Sequence, residues 1–265
     1  MNGHTIRLTV LGCRGSIPIS TTRQTQFGGA TSCYMVEAGG ETVFLDAGSG
    51  LLSAPVQFEK PPIILLSHLH LDHLLGLGMY PRLSEAGAVT RLYLKASSTE
   101  DAEARLAGIF APPYWPLPLT DYKGSLKLEP LRERFRVGSV LIECMEGRHP
   151  GGCAIFRLNC NDKRLVYATD YEPDEASFSS LISFSRDADL LLYDAQYTAT
   201  EYETKKGFGH STAEKGIELM KRSGAKSLLL IHHSPQASDE ELLRRERVIG
   251  RENVHYAREG ETICL

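Results

Sequence analysis

One short run constrains this chain more than any other, because it joins a buried strand to four side chains that can bind metals. Residues 66–73 read Leu-Ser-His-Leu-His-Leu-Asp-His and overlap the apolar segment 63–66. A strand presents His68 and His70 on one face, since alternate side chains share a face. Only 9 of the 265 residues are histidine, so three within six positions argue against a solvated polar turn. The three histidines, together with Asp72, predict a site for zinc, manganese or iron.

The composition is that of an ordinary globular protein, and it limits the possible partners. The length is compatible with one domain over residues 1–265. A net charge of −4 gives no basic field for a stable nucleic-acid partner, although divalent cations would still attract a small anionic substrate. No segment approaches the roughly 20 apolar residues of a membrane span, and the first residues lack the pattern of a secretory signal. The six cysteines show no paired spacing, so we expect them to be reduced in a cytoplasmic protein.

Short apolar runs predict mainly strands in the first two thirds of the chain and alternating helices and strands in the last third. The predicted strands cover residues 5–11, 33–37, 42–46, 63–66, 91–95, 139–145, 153–159, 164–169, 189–193, 226–231 and 253–256. The predicted helices cover residues 73–86, 98–110, 174–185, 212–223 and 239–249. This order favours an α+β or α/β fold in which two sheets face each other with helices outside.

A proline-rich loop over residues 110–119 interrupts this pattern. Four prolines in ten residues exclude a regular element there. The loop carries Tyr114 and the single tryptophan, Trp115. These rings could cover a substrate or stack on its base. The alternative, which we favour, is a loop packed on the body of the protein or on a second subunit, because buried aromatic rings usually pack.

Other polar residues follow predicted strands, and α/β folds place their sites at the carboxyl ends of strands. They are His149, Asp170, Asp194, His232 and His233. Asp46 also closes a strand, where it either orients the loop behind a metal site or only caps a turn. A lone histidine after a strand is commonly a core residue, but several beside the 66–73 run favour one common site.

This order of motifs resembles the metallo-β-lactamase superfamily over nearly the whole chain. The resemblance implies a four-layer αββα sandwich with two divalent ions. It assigns His68, His70 and His149 to one ion, Asp72, His73 and His232 to the other, and Asp170 to both. Asp170 stands where true β-lactamases usually have cysteine. The His-x-His start also differs from the His-x-Glu start of the diiron branch.

Further segments narrow the resemblance to the RNase Z and cyclic-phosphate phosphodiesterase branch. Residues 209–214 and 225–235 are similar to the C-terminal part of RNase Z, and residues 11–18 and 194–198 look closer to the phosphodiesterases. Only 20 residues lie between His149 and Asp170, which leaves no room for the tRNA-binding arm of RNase Z. By the resemblance, His210 contacts phosphate, whereas the alternative makes it only a helix-entry residue. The resemblance also favours His232 over His233 as a ligand.

The predicted function is a two-metal phosphodiesterase for a small cyclic phosphodiester, either a 3′,5′-cyclic nucleotide or phosphoribosyl 1,2-cyclic phosphate. Asp72 would hold or deprotonate the attacking water, and His210 would stabilise phosphoryl oxygens or protonate the leaving oxygen. Asp194 would support the site from behind, and Tyr197 could stack a base. Zinc and manganese both suit the ligands, and the resemblance implies a homodimer. The alternatives are an ester, lactone or thioester hydrolase, an RNA-processing nuclease, and a non-catalytic nucleotide-binding protein.

Overall fold

Fourteen strands of the described residues form two sheets at the centre of the molecule. The computed structural model describes residues 6–265, so Thr5, the first residue of the predicted strand 5–11, lies outside the described residues. The strands are β1 (Ile6–Gly12), β2 (Cys33–Ala38), β3 (Glu41–Leu45), β4 (Ile63–Leu65), β5 (Val89–Leu94), β6 (Ser125–Pro130), β7 (Arg134–Val137), β8 (Val140–Gly147), β9 (Cys153–Cys160), β10 (Lys163–Ala168), β11 (Leu190–Asp194), β12 (Ser227–Ile231), β13 (Val254–Tyr256) and β14 (Thr262–Cys264).

Each sheet has an antiparallel part and a parallel part, and the parallel parts position the candidate site. The first sheet has the order β14-β1-β2-β3-β4-β5-β6, in which β3 to β6 are parallel. The second has the order β13-β12-β11-β10-β9-β8-β7, in which β10 to β13 are parallel. Parallel neighbours end at the same edge. Asp46 and residues 66–73 therefore leave one sheet, and Asp170, Asp194 and His232 leave the other, at carboxyl ends.

In the described part of the chain, five α-helices flank the sheets, and each begins at a polar residue that accepts a backbone hydrogen bond. They are α1 (Thr99–Ala107), α2 (Glu175–Phe184), α3 (Ala199–Lys205), α4 (Ala213–Ser223) and α5 (Asp239–Ile249). Their N-caps are Ser98, Asp174, Thr198, Thr212 and Ser238, residue types that satisfy the free N–H groups of a first turn. Within residues 6–265, no helix has the length and apolar character needed to cross a bilayer.

Three apolar clusters among residues 6–265 hold the layers together. The largest lies between the sheets and includes Val36 and Leu229, both fully buried. A second joins the outer face of the second sheet to α2 and α4 through Phe178 and Leu219. A third covers the outer face of the first sheet, where Leu106 of α1 packs. The predicted four-layer αββα sandwich is confirmed, since burial of apolar faces on both sides of each sheet is what orders these layers.

The predicted helix over residues 73–86 is wrong. The segment forms short 3₁₀ turns at Leu71–His73, Leu77–Met79 and Pro81–Ser84. A Cβ at Gly76 would lie 2.1 Å from the Gly48 carbonyl oxygen, and one at Gly78 would lie 2.5 Å from the Trp115 ring. These close contacts with other segments set the path of the chain, and the apolar periodicity does not report them. The predictions also left out β6, β7, β14 and α3 as individual elements.

Candidate metal centre

The candidate site lies where the carboxyl ends of the parallel strands meet. Asp46, Asp170 and His232 leave their strands with φ of 62°, 48° and 60°, and Ser16 in a neighbouring loop has φ 64°. Left-handed backbone at a residue other than glycine is uncommon and costs about 1–3 kcal/mol. Four such residues around one site indicate that the surrounding contacts hold the backbone there.

Three imidazoles and one carboxylate form the first group that could bind a metal. One ligand atom each from His68, His70, His149 and Asp170 lies within 4.8 Å of the others. His68 Nε2 and His149 Nε2 are both 3.7 Å from Asp170 Oδ2, and His149 Nε2 is 3.1 Å from His70 Nδ1. The Gly209 carbonyl lies 2.9 Å from His149 Nδ1 and can only accept a hydrogen bond. The hydrogen of the neutral ring is therefore on Nδ1, and Nε2 carries the lone pair that can bind a metal. Burial lowers the pKa of His68 and His149, and partial desolvation also lowers the pKa of the more exposed His70, which favours the neutral, metal-binding form.

The second group shares the same aspartate. Asp72, His73, Asp170 and His232 again place one ligand atom each within 4.8 Å of the others. His73 Nε2 is 3.3 Å from Asp72 Oδ2 and 3.2 Å from Asp170 Oδ1. His232 Nε2 is 3.1 Å from Asp72 Oδ2 and 3.3 Å from Asp170 Oδ1. Asp170 therefore turns Oδ2 toward the first group and Oδ1 toward the second.

The second group places two buried carboxylates, Asp72 and Asp170, against two buried imidazoles. Burial alone would raise the pKa of Asp170 and Asp72, but the neighbouring histidines lower both well below the ordinary value. Burial alone would lower the pKa of His73 and His232, but Asp170 and Asp72 raise it, to about 9 for His232. Two buried carboxylates thus favour positive charge on the imidazoles beside them. A divalent cation would supply the same compensation and leave the imidazoles neutral.

Buried nitrogen atoms without a hydrogen-bond partner indicate whether these residues fit a metal ion. Within residues 6–265, His68 Nε2 and His73 Nε2 are buried without a hydrogen-bond partner. Both face the Asp170 carboxylate, at 3.7 Å and 3.2 Å. Leaving a buried polar atom unpaired costs about 1–3 kcal/mol, and a bound cation would remove that cost. The donor set and its geometry therefore fit divalent metal ions.

Asp46 supports this cluster from behind. It is fully buried, and its Oδ2 lies 2.6 Å from His73 Nδ1 and 2.6 Å from the Tyr167 hydroxyl. Ser67 donates its N–H to Oδ1 at 2.7 Å and its hydroxyl to Oδ2 at 2.8 Å. An ionised carboxylate accepts only, so His73 carries its hydrogen on Nδ1 and turns Nε2 toward Asp170. This geometry favours the supporting role of Asp46 over the turn-capping alternative.

His210 lies beside the second group and is held by Asp194. Its Nδ1 is 2.8 Å from Asp194 Oδ2, and its ring stacks on that of His232 with centroids 4.8 Å apart. Asp194, Asp170, His210 and His232 form a third group of the same kind. In that group, however, the hydrogen bond between Asp194 and His210 already uses a ligand atom of each residue. The geometry therefore fits a histidine whose Nε2 is left for a substrate better than it fits a third ion.

Three supporting residues were not predicted. Ser67 and Tyr167 contact Asp46, and Ser16 donates its backbone N–H to Asp72 Oδ2 at 2.7 Å. A serine before the His-x-His run could have been noticed. Tyr167 and the Ser16 N–H belong to distant segments, and residue type does not mark them.

The predicted substrate contacts differ in their surroundings. Tyr114 is 80% exposed, whereas Trp115 packs edge-on against Phe110 and donates its indole N–H to the Tyr122 hydroxyl at 3.0 Å. The packing interpretation of the loop therefore accounts for Trp115. Tyr197 is buried with its ring edge-to-face against His210, at 5.7 Å between centroids. This contact makes it a support for His210.

His233 and Cys153 do not join the cluster. His233 turns away from His232, and its Nε2 donates to the Ala257 carbonyl at 2.7 Å. This is the placement that the alternation of side chains predicts. Cys153 donates its thiol to the Asp170 carbonyl at 3.1 Å, so it supports the backbone of the site. All six cysteines are free thiols.

Among known proteins, the chain is similar to metallo-hydrolases and nucleases. It is 26% identical over 258 residues to the probable metallo-hydrolase YhfI of Bacillus subtilis (strain 168), covering 96% of this chain and 98% of YhfI. It is 25% identical over 270 residues to Ribonuclease Z of Bradyrhizobium sp. (strain ORS 278), covering 81% of this chain and 87% of that enzyme.

Solved structures show the same fold over the whole length. The crystal structure of YhfI has a TM-score of 0.75 at 24% identity and covers 99% of this chain and 100% of YhfI. The crystal structure of a diphosphatase from the PhnP family has a TM-score of 0.71 at 20% identity, covering 98% and 97% of the two chains. The sequence also matches the family described as Beta-lactamase superfamily domain over residues 19–233, most of the 265 residues. The predicted resemblance is thereby confirmed, and the chain belongs to the β-lactamase superfamily domain family.

Proposed function

We propose that this protein is a metal-dependent phosphodiesterase that hydrolyses a small cyclic phosphodiester. The observation that carries the proposal is the pair of His and Asp groups that share Asp170, with His210 beside them. The names of the similar proteins agree with hydrolysis, since they include a probable metallo-hydrolase, Ribonuclease Z and a diphosphatase. Either a 3′,5′-cyclic nucleotide or phosphoribosyl 1,2-cyclic phosphate would be the substrate.

The two groups would hold one divalent ion each. His68, His70 and His149 would bind the first, Asp72, His73 and His232 the second, and Asp170 both. Zinc or manganese there would lower the pKa of water and neutralise charge on the phosphoryl oxygens. The tautomers support this assignment, because the hydrogen bonds of His149 and His73 direct Nε2 of each ring into the cluster.

The chain's own residues would then orient the water and the leaving oxygen. Asp72, ionised and fixed by the Ser16 N–H, would orient the attacking water and accept its proton as the new P–O bond forms. His210, fixed through Nδ1 by Asp194, would use Nε2 to stabilise a phosphoryl oxygen or to protonate the departing oxygen. The P–O bond to the departing oxygen then breaks, which opens the ring and leaves a phosphomonoester.

The surroundings of the site support a small substrate. A cleft of about 230 Å³ lies beside His68 and His70, with Lys95, Arg105 and Gly151 on its walls. The segment between His149 and Asp170 is used entirely by β9, β10 and their turns. It provides no arm for gripping a folded RNA. The single-domain organisation, the homodimer and the cytoplasmic location stay predictions.

An RNA substrate is the second candidate, because Ribonuclease Z is among the similar proteins. The metal-binding residues would serve either ester, so the substrate must be decided by experiment. The purified protein, loaded with zinc or with manganese, should be assayed on cyclic mononucleotides, cyclic dinucleotides, phosphoribosyl cyclic phosphate and a precursor tRNA. Bis(p-nitrophenyl) phosphate tests phosphodiester chemistry in general, and p-nitrophenyl acetate tests the ester alternative.

We expect the protein to hydrolyse at least one cyclic phosphodiester. A chelator should abolish this turnover, and added metal should restore it. His68→Ala should lose bound metal and turnover together. His255→Ala, which removes a histidine whose ring bonds Glu261, is the matched control and should keep both. Faster hydrolysis of the acetate ester or of precursor tRNA would refute the proposed substrate class. Full metal occupancy in His68→Ala would refute the ligand assignment.

A further inference from the structure

Glu172 is a buried carboxylate that the mechanism above does not use. It is only 6% exposed and lies two residues after Asp170. Its oxygens accept hydrogen bonds from Gly207 N–H at 2.8 Å, Gly209 N–H at 2.9 Å and the Tyr202 hydroxyl at 3.1 Å. Among the ion pairs of residues 6–265, none involves Glu172. Its partners are therefore the neutral donors of a single segment.

Apart from Glu172, polar and cation–π contacts hold that segment, namely Glu201 with Arg245 at 3.9 Å and Lys205 over the Tyr197 ring at 4.7 Å. Helix α3 buries none of its residues, and Phe208 at the tip of the following turn is 65% exposed. Burial of apolar surface, the usual anchor of a helix, therefore does not hold residues 199–208. At the start of α3, the Thr198 N–H donates to the Glu201 carboxylate, and the Glu201 N–H donates to the Thr198 hydroxyl. Glu172 is the corresponding polar anchor at its end.

The turn leads directly into the site. Gly207 and Gly209 have φ of 93° and 91°, a conformation that only glycine adopts readily. Their N–H groups point at Glu172, and the Gly209 carbonyl accepts from His149 Nδ1. The next residue is His210, whose side chain Asp194 fixes but whose backbone follows the turn.

We propose that Glu172 is a positioning residue, which clamps residues 206–209 and thereby places His210 against the phosphoryl group. The inference rests on the proposed function for its catalytic consequence, but the clamp itself is independent of substrate. The Glu172 N–H also donates to the Arg148 carbonyl at 2.9 Å. The same residue thus ties the Asp170, His149 and His210 loops together.

The test compares Glu172→Gln with Glu175→Gln. Both substitutions remove one negative charge, but Glu175 is exposed in the first turn of α2. The glutamine at 172 replaces one accepting oxygen with a donor that faces the backbone N–H groups of the turn. Trypsin should then cleave after Lys205 or Lys206 about tenfold faster than in the wild type, because local opening exposes the segment. Glu175→Gln should be cleaved at the wild-type rate.

On the proposed phosphodiester substrate, Glu172→Gln should lose about 10- to 100-fold in kcat, since displacement of a catalytic group by about 1 Å has such effects. KM should change less than about threefold, and metal content at saturating metal should stay within about twofold. Glu172→Asp keeps the carboxylate but has a shorter side chain. Its kcat and its rate of trypsin cleavage should lie between those of the wild type and Glu172→Gln. It also carries the test if Glu172→Gln fails to fold.

Wild-type cleavage and wild-type kcat in Glu172→Gln would overturn the inference. Loss of metal in step with kcat would also overturn it, because Glu172 would then act through the metal ligands. If the wild type hydrolyses no phosphodiester, the proposed function fails, while the comparison of trypsin cleavage still decides whether Glu172 clamps the turn.

Discussion

Replacing Asp46 with asparagine should weaken metal binding although residue 46 is not placed as a ligand. The carboxylate accepts from four donors, namely the Ser67 N–H, the Ser67 hydroxyl, the Tyr167 hydroxyl and His73 Nδ1. Asparagine must turn an NH₂ group toward one side. If it faces the Ser67 N–H, two donors oppose each other. If it faces His73, Nδ1 must accept, and the hydrogen moves to Nε2, the nitrogen that faces Asp170.

The expected magnitude follows from this loss of orientation. Substituting a residue that orients a metal ligand typically weakens the affinity for metal about 10- to 100-fold. With about 1.4 kcal/mol for each tenfold change, this is roughly 1.4–2.8 kcal/mol. The opposed donors should also lower the free energy of unfolding by about 1–3 kcal/mol, because the site is fully buried.

The assay is a titration of the metal-free protein with zinc in competition with a chelator, together with urea unfolding. Tyr167→Phe is a graded comparison, because it removes one donor and leaves the contact between His73 and Asp46. Its affinity should change less than about threefold. Asp189→Asn is the control for a lost buried carboxylate. Asp189 directly precedes β11, and it accepts hydrogen bonds from Lys226 and from the Arg164 N–H of β10. Wild-type zinc affinity in Asp46→Asn would refute the reasoning, as would an equal loss in Asp189→Asn.

Three further predictions concern catalysis, the core and the response to acid. His210→Ala should keep bound metal and lose about 10²- to 10⁴-fold in kcat, and near-normal turnover would remove His210 from the mechanism. Leu229→Ala in the core between the sheets should lower the free energy of unfolding by about 2–5 kcal/mol in a urea titration, and a loss below 1 kcal/mol would contradict its packing. Hydrogen bonds from Arg244 and Arg245 lower the pKa of Glu241 to about 2. Its contribution to stability is therefore complete above its ordinary pKa of 4.5 and is lost as the pH falls toward 2. Unfolding titrations should show a shallower loss over that range in Glu241→Gln, and an unchanged slope would contradict the role of these hydrogen bonds.

The sequence was informative where local chemistry decides the outcome. Apolar runs with turn residues between them predicted most strands, and α4 and α5 begin and end within a residue of their predicted bounds. The helix predicted at residues 73–86 was wrong because Gly76 and Gly78 lie against Gly48 and Trp115, which are distant in the chain. The edge strands β6, β7 and β14 are largely half-exposed or exposed, so their apolar pattern is weak.

The same division applies to the site. Histidines and aspartates at strand ends could be identified as candidates because their residue types bind metals and α/β folds place their sites at the carboxyl ends of strands. Their tautomers could not, since these depend on the carbonyl of Gly209 behind His149 and the carboxylate of Asp46 behind His73. The anchoring of the His210 turn by Glu172 was equally invisible, because a glutamate near a helix start usually faces solvent.

By itself, the sequence determined which side chains could bind metal and the order in which they leave their strands, because both depend on residue type and on short-range periodicity. Only the tertiary structure decided which nitrogen of each imidazole faces the cluster, how Asp170 divides its oxygens between two groups, and which buried acids hold the loops. The physical reason is that hydrogen bonds and buried charges depend on atoms a few ångströms apart in space, whose separation along the chain is 27 residues for His73 and Asp46 and 60 residues for His149 and Gly209.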